Sequence, residues 1–268
     1  MNQVTSALHI PDTQSERDER HLVIQRVGVK DVRYPLQIQI GTQAQPTVGT
    51  WTLDVSLPAE KKGTHMSRFL AWLDALDAPL DAAMLRARHA EMLVKLGADE
   101  GRIEAAFNFF LRKRAPVSGV SSLLDYQGRW IAETRGGVTA LWAEVGVPVK
   151  SLCPCSKEIS DYGAHNQRSL VTIRVELLQS IEWHELVRFA EDEASSEIWP
   201  MLKRPDEKWV TERAYENPKF VEDLVRDVAA ELCADPRVLR YQVASENFES
   251  IHNHSAYARI EGVSTPAA

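Results

Sequence analysis

The sequence predicts an α+β protein in which one unit, strand-strand-helix-helix-strand-strand, occurs twice. Apolar residues alternate in TLDVSL (residues 52–57) and again in TIRVEL (residues 172–177), which is the period-two pattern of half-buried antiparallel strands. A helical pattern follows each of them, and Arg68-Phe69 recurs as Arg188-Phe189 at the offset that separates the two strands. Because element order and offset agree, we interpret the chain as an internal duplication.

The first copy continues through two helical patterns, MSRFLAWLDAL and LDAAMLRARHAEMLVKLG. Thr64 or Ser67 is the expected N-cap of the first, and Gly97 is the expected end of the second. Two segments with strand patterns, RIEAAFNFFLRKRA and RWIAETRGG, close this copy. Each prediction follows from a change in the period of the apolar residues.

The second copy has the helical patterns WHELVRFAEDEA and NPKFVEDLVRDVAAELCADP, then strand patterns in RVLRYQVASENFES and HSAYARIEG. Asn217 is the expected N-cap of its second helix, with Pro218 at the first helical position. Between the two helices lies MLKRPDEKWVTERAYE (residues 201–216), which has no counterpart in the first copy and is predicted to be a loop. Insertions of this kind often carry function.

These patterns divide the chain into three parts. Residues 1–20 are polar and unpatterned and are expected to form a mobile leader. Residues 21–145 form the predicted first module, and residues 146–268 form the second module, which contains most of the unusual residues described below.

Composition excludes several classes of protein. The 268 residues are 44% hydrophobic and 26% charged, as in globular proteins. No apolar run approaches the roughly 18–20 residues of a membrane span, and no export signal is recognisable, so no membrane association is expected. A net charge of −7 argues against general nucleic-acid binding but leaves room for one anionic ligand in a local basic cluster. Three cysteines rule out a disulfide framework and favour a reducing cytoplasm.

The stretch SLCPCSKEISDYGAHNQRS (residues 151–169) contains Cys153 and Cys155 around one proline, followed by His165. A disulfide within Cys-Pro-Cys would close a small, strained ring. Thiolate and imidazole are the usual ligands of zinc and related ions, so a metal site is one interpretation and a reactive thiol is another. Ordinary packing of a small apolar thiol and a hydrogen-bonded histidine remains the third.

Three other groups could take part in chemistry. His252 and His254 lie two apart, so an extended chain points both to one side, with Glu246 and Glu249 nearby; a solvated hairpin turn is the alternative. Glu222 falls at the edge of an apolar helical stripe, where it either reaches into a cleft or simply faces solvent.

The third group is the segment EKKGTHMSRF (residues 60–69). Lys61, Lys62 and Arg68 precede or begin a helix whose N-terminus would suit a phosphate group; a charged loop with an ordinary cap is the alternative.

CPCSKEISDYGAHNQRS, GTHMSRF, YENPKFVED and ENFESIHNHSAYA together resemble the type IB GTP cyclohydrolase family over about residues 20–262. The resemblance implies a tunnelling fold with two modules per chain, and a homotetramer with sites at subunit interfaces. It implies GTP as the substrate, 7,8-dihydroneopterin triphosphate and formate as the products of the first step of folate (pterin) synthesis, and a divalent metal ion, zinc or manganese, in the site.

Carried onto this sequence, the resemblance implies three metal ligands: Cys153, His165 and, from the insertion, Glu207. It implies that Cys153 also belongs to the catalytic set, which it extends to Cys155, Glu222, His252 and His254. Substrate contacts are then expected from residues on both modules: Lys61, His65, Ser67, Arg68, Lys157, Arg168 and Glu249. Lys62 and Lys150 are further candidates for the triphosphate.

Two other functions remain open at this point. Another tunnelling-fold enzyme, such as the NADPH-dependent nitrile reductase of queuosine synthesis, would use a nucleophilic cysteine without a metal. That function leaves His165, His252 and His254 without a role. The other alternative is a non-catalytic module that binds a purine or a metal.

Overall fold

A computed structural model describes residues 12–264, and nine strands in this part of the chain form one antiparallel sheet in the order β1-β2-β3-β4-β5-β6-β8-β9, with β7 paired to β5. The strands are β1 (Ile24–Ile40), β2 (Gln43–Leu57), β3 (Gly101–Arg114), β4 (Ser121–Arg135), β5 (Val138–Leu152), β6 (Asn166–Leu177), β7 (Ser196–Glu197), β8 (Val238–Asn247) and β9 (Ala256–Val263). The helices are α1 (Met66–Asp74), α2 (Ala82–Leu96), α3 (Pro154–Ile159), α4 (Trp183–Glu193), α5 (Arg204–Glu216) and α6 (Val221–Ala234). The predicted α+β class is confirmed.

The duplicated element order is present. β1-β2-α1-α2-β3-β4 forms the first repeat, and β5-β6-α4-α6-β8-β9 forms the second, with α3, β7 and α5 added. The module boundary expected after residue 145 falls inside β5. In the structure, the second repeat of the element order begins after the turn Gly136-Gly137 between β4 and β5. Both glycines have positive φ, 55° and 77°, which a tight turn of this hand requires and which other residues adopt at a cost.

The two repeats share one core on the side of the sheet that the helices cover. Trp183 of α4, in the second repeat, packs against three aromatic rings of the first repeat's strands. Its ring centroid lies 5.5 Å from that of Phe107, 5.1 Å from Phe109 and 4.9 Å from Trp130. All four side chains are buried, so the repeats form a single hydrophobic unit.

The sheet has two distinct ends. β2 and β6 run into the helices at one end, which we call the helix end; there Val55 pairs with Gly101, and Gly101 pairs with Thr134. At the opposite end, the loop end, lie the turn Gly41–Thr42, residues 115–120, residues 153–165 and residues 248–255. β5 contains 15 residues, and at about 3.3 Å per residue the two ends are roughly 45 Å apart.

Part of the expected mobile leader is ordered against the first repeat. The backbone N–H of Gly63 donates to the Gln14 carbonyl oxygen at 3.1 Å, and the N–H of Asp18 donates to Glu60 at 3.0 Å. Polar composition alone does not reveal such pairing, because the bonds are made by the backbone. Residues 1–11 of the expected leader lie outside the described residues.

Two predicted helix starts differ from the structure. α1 begins at Met66 with His65 as N-cap, one residue after Thr64 and two before Ser67, the two predicted caps. α6 begins at Val221 with Phe220 as N-cap, while Asn217 instead ends α5. The Asn217 side chain donates to the carbonyl oxygen of Ala194 at 2.9 Å, so its amide stabilises the end of α4 and cannot cap α6.

Residues 201–216 are largely helical, not a loop, because α5 spans Arg204–Glu216. The fully buried Asp206 accepts hydrogen bonds from the backbone N–H groups of Val117, Ser118 and Lys203 and from the Ser118 hydroxyl. These bonds join the start of α5 to the β3–β4 turn of the first repeat.

Among residues 12–264, no helix is both long and apolar enough to cross a membrane.

Candidate active site

Cys153 and His165 stand at the two ends of the segment that joins β5 to β6, and hydrogen bonds bring them together. The Cys153 N–H donates to the His165 carbonyl oxygen at 3.1 Å, and the His165 N–H donates to the Ser156 hydroxyl at 3.1 Å. The Cys153 sulfur accepts the Ser156 N–H at 3.5 Å as the cap of α3. The segment therefore folds back so that Cys153 and His165 lie opposite each other.

The His165 ring faces two acceptors. Its Nδ1 lies 3.1 Å from Oε1 of Gln167 and 3.8 Å from Oε2 of Glu249, which is on the β8–β9 loop. The His165 and Glu249 side chains are only 14% and 12% exposed, so water screens this contact weakly. Glu249 was expected at the site, whereas Gln167 was not. Gln167 lies two residues after His165 on an extended strand, so both side chains point to the same face, and this spacing could have indicated the contact.

The β8–β9 loop also carries His252 and His254. Their rings stack with centroids 5.0 Å apart and planes inclined by 14°, so the prediction that both point to one side is confirmed. Both residues are exposed, as the hairpin alternative also requires. The same loop brings Glu249 to His165, which places the histidine pair at the loop end with the Cys153 segment.

Cys155 lies in the first turn of α3 and is exposed, while Cys153 is half-buried. Lys157, two residues further, donates to the Tyr215 carbonyl oxygen at 2.5 Å, and its ammonium lies 4.4 Å from the centre of the Tyr215 ring. The Lys157 charge is thus held against the end of α5. An exposed thiol beside a half-buried one is the arrangement in which the two cysteines can have separate roles.

Two candidate carboxylates belong to the helices beside this segment. Glu207 is exposed on the first turn of α5, where Oε2 lies 3.4 Å from Nη1 of Arg204. Burial would raise the pKa of its neighbour Asp206, but the hydrogen bonds from Ser118, Lys203 and Val117 outweigh burial and hold that pKa well below its usual value. α5 therefore has a fixed anionic anchor, and Glu207 is a separate group that remains accessible.

Glu222 is exposed on the first turn of α6 and makes no hydrogen bond or ion pair within residues 12–264. The Lys219 N–H, just before α6, donates to the Leu152 carbonyl oxygen at 3.2 Å. This bond places the start of α6 beside the residue that precedes Cys153. The apolar stripe of α6 is buried as predicted from Val221 through Leu232, although Phe220 is exposed.

Two cations lie side by side on the uncovered face of the sheet near the loop end. Lys150 of β5 and Arg168 of β6 are paired in register, and neither makes an ion pair with any described residue. Partial burial lowers the pKa of Lys150. Like charges opposite each other destabilise a sheet, so this pair is suited to an anion supplied from outside.

The predicted phosphate residues of the first repeat lie at the helix end of the sheet. Lys61, His65 and Arg68 line a cavity of about 180 Å³ beside α1, and Ser67 is exposed in the first turn of that helix. Lys61 donates to the Gly97 carbonyl oxygen at 3.3 Å, and Lys62 forms an ion pair with Glu16. Within one chain, the structure does not bring this cluster to Cys153, which is at the opposite end of the sheet.

Cys153 and His165 fit a divalent metal ion by the chemistry of their donors. The half-buried sulfur already accepts an N–H, and the imidazole has one nitrogen engaged and the other uncommitted within the described residues. Within residues 12–264 there is no group of three or more His, Cys, Asp or Glu side chains placed to hold a metal ion. The third ligand, Glu207 or another, stays a prediction.

A larger cavity, of about 640 Å³, is elsewhere. It lies over the uncovered face of the central strands, where Arg33, Asn108, Arg129 and Glu144 are among its lining residues. No cysteine or histidine lines it. Size alone therefore does not identify the candidate site.

The fold is the tunnelling fold. The crystal structure of uricase from Arthrobacter globiformis matches it with a TM-score of 0.50, covering 91% of this chain and 94% of that one, at 10% sequence identity. At that identity the likeness concerns the fold alone. It agrees with the duplicated sheet-and-helix unit read from the sequence.

The family model for type I GTP cyclohydrolase folE2 matches residues 10–258. A protein named GTP cyclohydrolase FolE2 from Methylibium petroleiphilum is 67% identical, with 94% of this chain and 96% of that protein covered. Another of the same name, from Paraburkholderia xenovorans, is 62% identical over 97% of this chain and 98% of its own length. This chain belongs to the type I GTP cyclohydrolase folE2 family, as its motifs predicted.

Proposed function

We propose that this protein is a GTP cyclohydrolase that hydrolyses GTP to 7,8-dihydroneopterin triphosphate and formate in the cytoplasm, the first step of folate synthesis. Family membership supports the reaction. The observation that carries it in the structure is the convergence of Cys153, His165 and Glu249 from two separate loops. A thiol, an imidazole and a carboxylate with little solvent exposure suit the addition of water to a purine ring and the proton transfers that follow.

A divalent ion, zinc or manganese, is the proposed cofactor, with Cys153 and His165 as ligands and Glu207 as a candidate third. When bound, such an ion makes water nucleophilic near neutral pH. The residues that remain in the loop end then transfer protons: Cys155, which is exposed, and the stacked imidazoles of His252 and His254. Cys155 lies on the segment that carries Cys153 and His165, and the two histidines lie on the loop that brings Glu249 to His165.

Glu222 is the proposed anchor for guanine. A carboxylate can accept hydrogen bonds from both N1–H and the 2-amino group, a pattern that adenine cannot offer. Its exposure, its lack of a partner within the described residues and its position beside Leu152 support this role. The alternative role for Glu222 is to stabilise α6 through the positive end of the helix dipole, which requires no ligand.

The triphosphate requires fixed cations, and the structure offers two groups. Lys150 and Arg168, near the loop end, make no ion pair with any described residue, whereas Lys61, His65, Ser67 and Arg68 are at the helix end of the same sheet. Roughly 45 Å of strand separates the two groups, far more than one nucleotide spans. If both groups contact the same GTP, the second group must come from another copy of the chain.

We therefore propose a homotetramer with sites at subunit interfaces. Exposed apolar side chains surround the Cys153 segment and would be covered in such an assembly: Ile159, Tyr162, Tyr215, Phe220, Phe248, Ile251 and Tyr257. A concentration of exposed apolar groups is typical of an interaction surface. Closed symmetric assemblies are the common form of such contacts.

The direct test is to incubate purified protein with GTP and zinc or manganese, then oxidise the mixture and measure pterin fluorescence and formate. We expect both products, and neither with ATP. GTP binding without product would instead indicate a binding module. NADPH oxidation with a nitrile substrate and no pterin would point to the reductase chemistry of other tunnelling-fold enzymes.

A further inference from the structure

Gln167 is a buried amide at the site to which none of the roles above is assigned. It belongs to β6 and is only 9% exposed. Its Oε1 lies 3.1 Å from Nδ1 of His165, which is within hydrogen-bond distance. Pairing of Gln167 with Ser151 in the β5–β6 ladder fixes the backbone from which this amide extends.

The surroundings of Nδ1 decide which ring nitrogen carries the hydrogen. The Glu249 carboxylate approaches the same nitrogen at 3.8 Å, so an amide oxygen and a negatively charged oxygen both face it. A lone pair on Nδ1 would be repelled by both oxygens, whereas an N–H would be attracted by both. Because a neutral imidazole carries one hydrogen, Nε2 is then left with the lone pair.

We propose that Gln167 is a positioning residue that holds His165 in the Nδ1–H tautomer and directs the Nε2 lone pair toward the divalent ion. Histidines that bind metals commonly donate their other N–H to a carbonyl or carboxylate oxygen, which fixes the ring and makes it a better ligand. The metal part of the proposal depends on the proposed function, but the tautomer part does not.

Gln167 and Glu249 contribute differently to this arrangement. Glu249 is on the β8–β9 loop and its oxygen is beyond hydrogen-bond distance, so it polarises the N–H without fixing the ring angle. Gln167 is on a strand within the sheet and is at hydrogen-bond distance. The strand amide therefore sets the geometry, and the loop carboxylate strengthens the preference.

The tautomer can be read from ¹⁵N NMR of metal-free protein with labelled histidine, with the His165 signals assigned by their loss in His165→Ala. Wild-type protein should show the Nδ1–H pattern. Gln167→Met removes the acceptor at similar volume and should produce a mixture with Nε2–H. Gln167→Glu retains an acceptor and should restore Nδ1–H, a rescue that a purely space-filling role would not produce.

The second measurement is zinc and cobalt affinity by competition with a chelator. Gln167→Met should weaken binding about 10- to 100-fold, and Gln167→Glu much less. The control is Gln242→Met, a half-buried glutamine on β8 whose side chain makes no hydrogen bond within residues 12–264; its affinity should stay within twofold.

A wild-type Nε2–H pattern, or a Gln167→Met protein with unchanged tautomer and affinity, would overturn the proposal. If Gln167→Met does not fold, the wild-type pattern and Gln167→Glu still decide the matter. Protein with the Nδ1–H tautomer and tight metal binding but no pterin product would contradict the proposed reaction and leave the role of Gln167 intact.

Discussion

The loop ends of the two repeats show how a duplicated fold acquires a site. In the first repeat, β1 and β2 are joined by the tight turn Gly41–Thr42, with Gly41 at a φ of 56°. In the second repeat, the equivalent strands β5 and β6 are joined by residues 153–165, which include α3 and both clustered cysteines. The strands and the core are similar, so the chemical difference lies in the connection.

The helix layer of the second repeat also contains elements that the first repeat lacks. α1 is followed directly by α2, whereas β7 and α5 stand between α4 and α6. These additions lie against the end of β5, since β7 pairs with Val149 and Lys150. The second repeat therefore carries the residues proposed for metal binding and proton transfer, while the first has a basic cluster at the other end of the sheet.

The largest expected effect is that of Cys153→Ala, which removes the thiol from the longer connection. We expect loss of metal and a fall in GTP turnover to background, because the proposed water-activating ion is no longer held. Cys155→Ala is the matched variant: metal content should stay near one per chain while turnover falls about 100-fold or more. Metal analysis beside a pterin assay checks both, and the reverse result would exchange the two roles.

Glu222→Gln should lower kcat/KM for GTP by about 10- to 100-fold, the usual effect of losing a hydrogen bond to a charged group. Its thermal midpoint should hardly change, because Glu222 is exposed and outside the buried stripe of α6. Asp223→Asn, on the same helical turn, should stay within twofold of wild type. Near-normal turnover in Glu222→Gln would show that this carboxylate only faces solvent.

Lys150→Met and Arg168→Met should each raise KM for GTP by roughly tenfold with a smaller change in kcat, because a charge-assisted contact to phosphate is lost. Lys30→Met, an exposed lysine on β1, is the control and should leave KM unchanged. Raising the salt concentration should weaken wild-type binding more than that of either variant. Unchanged KM in both variants would assign the triphosphate to the first repeat alone.

Asp206→Asn should lower the thermal midpoint by a few degrees near pH 7, because the anchor of α5 loses its charge. The folded pKa of Asp206 lies below its unfolded value, so its stabilising contribution is present above about pH 4 and is lost as pH falls toward the folded pKa. The midpoints of wild type and variant should therefore converge on acidification. If the difference in thermal midpoint between wild type and Asp206→Asn did not change with pH, the effect would come from packing and not from the charge.

The smallest effect is expected at the junction of the repeats. Inserting two residues between Gly136 and Gly137 should change stability by less than about 1 kcal/mol, because the turn is exposed and joins two complete repeats. The same insertion after Glu144 should prevent folding, since it shifts the register of β5 against β4 and β6. Equal tolerance at both places would support the boundary expected from the sequence.

The sequence predicted element types well where the apolar period was long, as in β2, β6 and α2. It missed α5, because the signal there is a single buried carboxylate, Asp206, whose partners are on the first repeat. It misassigned Asn217, since a capping residue followed by proline fits the end of one helix as well as the start of another.

Motif resemblance predicted Cys153, His165 and Glu249 together, but not the amide that orients the imidazole. Gln167 reads as an ordinary strand residue until its distance from His165 is known. Nor could the sequence show that Lys61 and Arg68 lie at the far end of the sheet from Cys153. That separation depends on strand direction, which only the assembled sheet defines.

The most direct test of the account is complementation between two impaired proteins, Cys153→Ala and Arg68→Ala, which are altered at opposite ends of the sheet. If each site combines the two repeats of different chains, subunits that are dissociated, mixed and reassembled will form about a quarter of their sites from unaltered residues. We expect the mixture to recover GTP turnover in that proportion, with hybrid oligomers verified by native mass spectrometry. Hybrid oligomers without recovered turnover would contradict a site shared between chains.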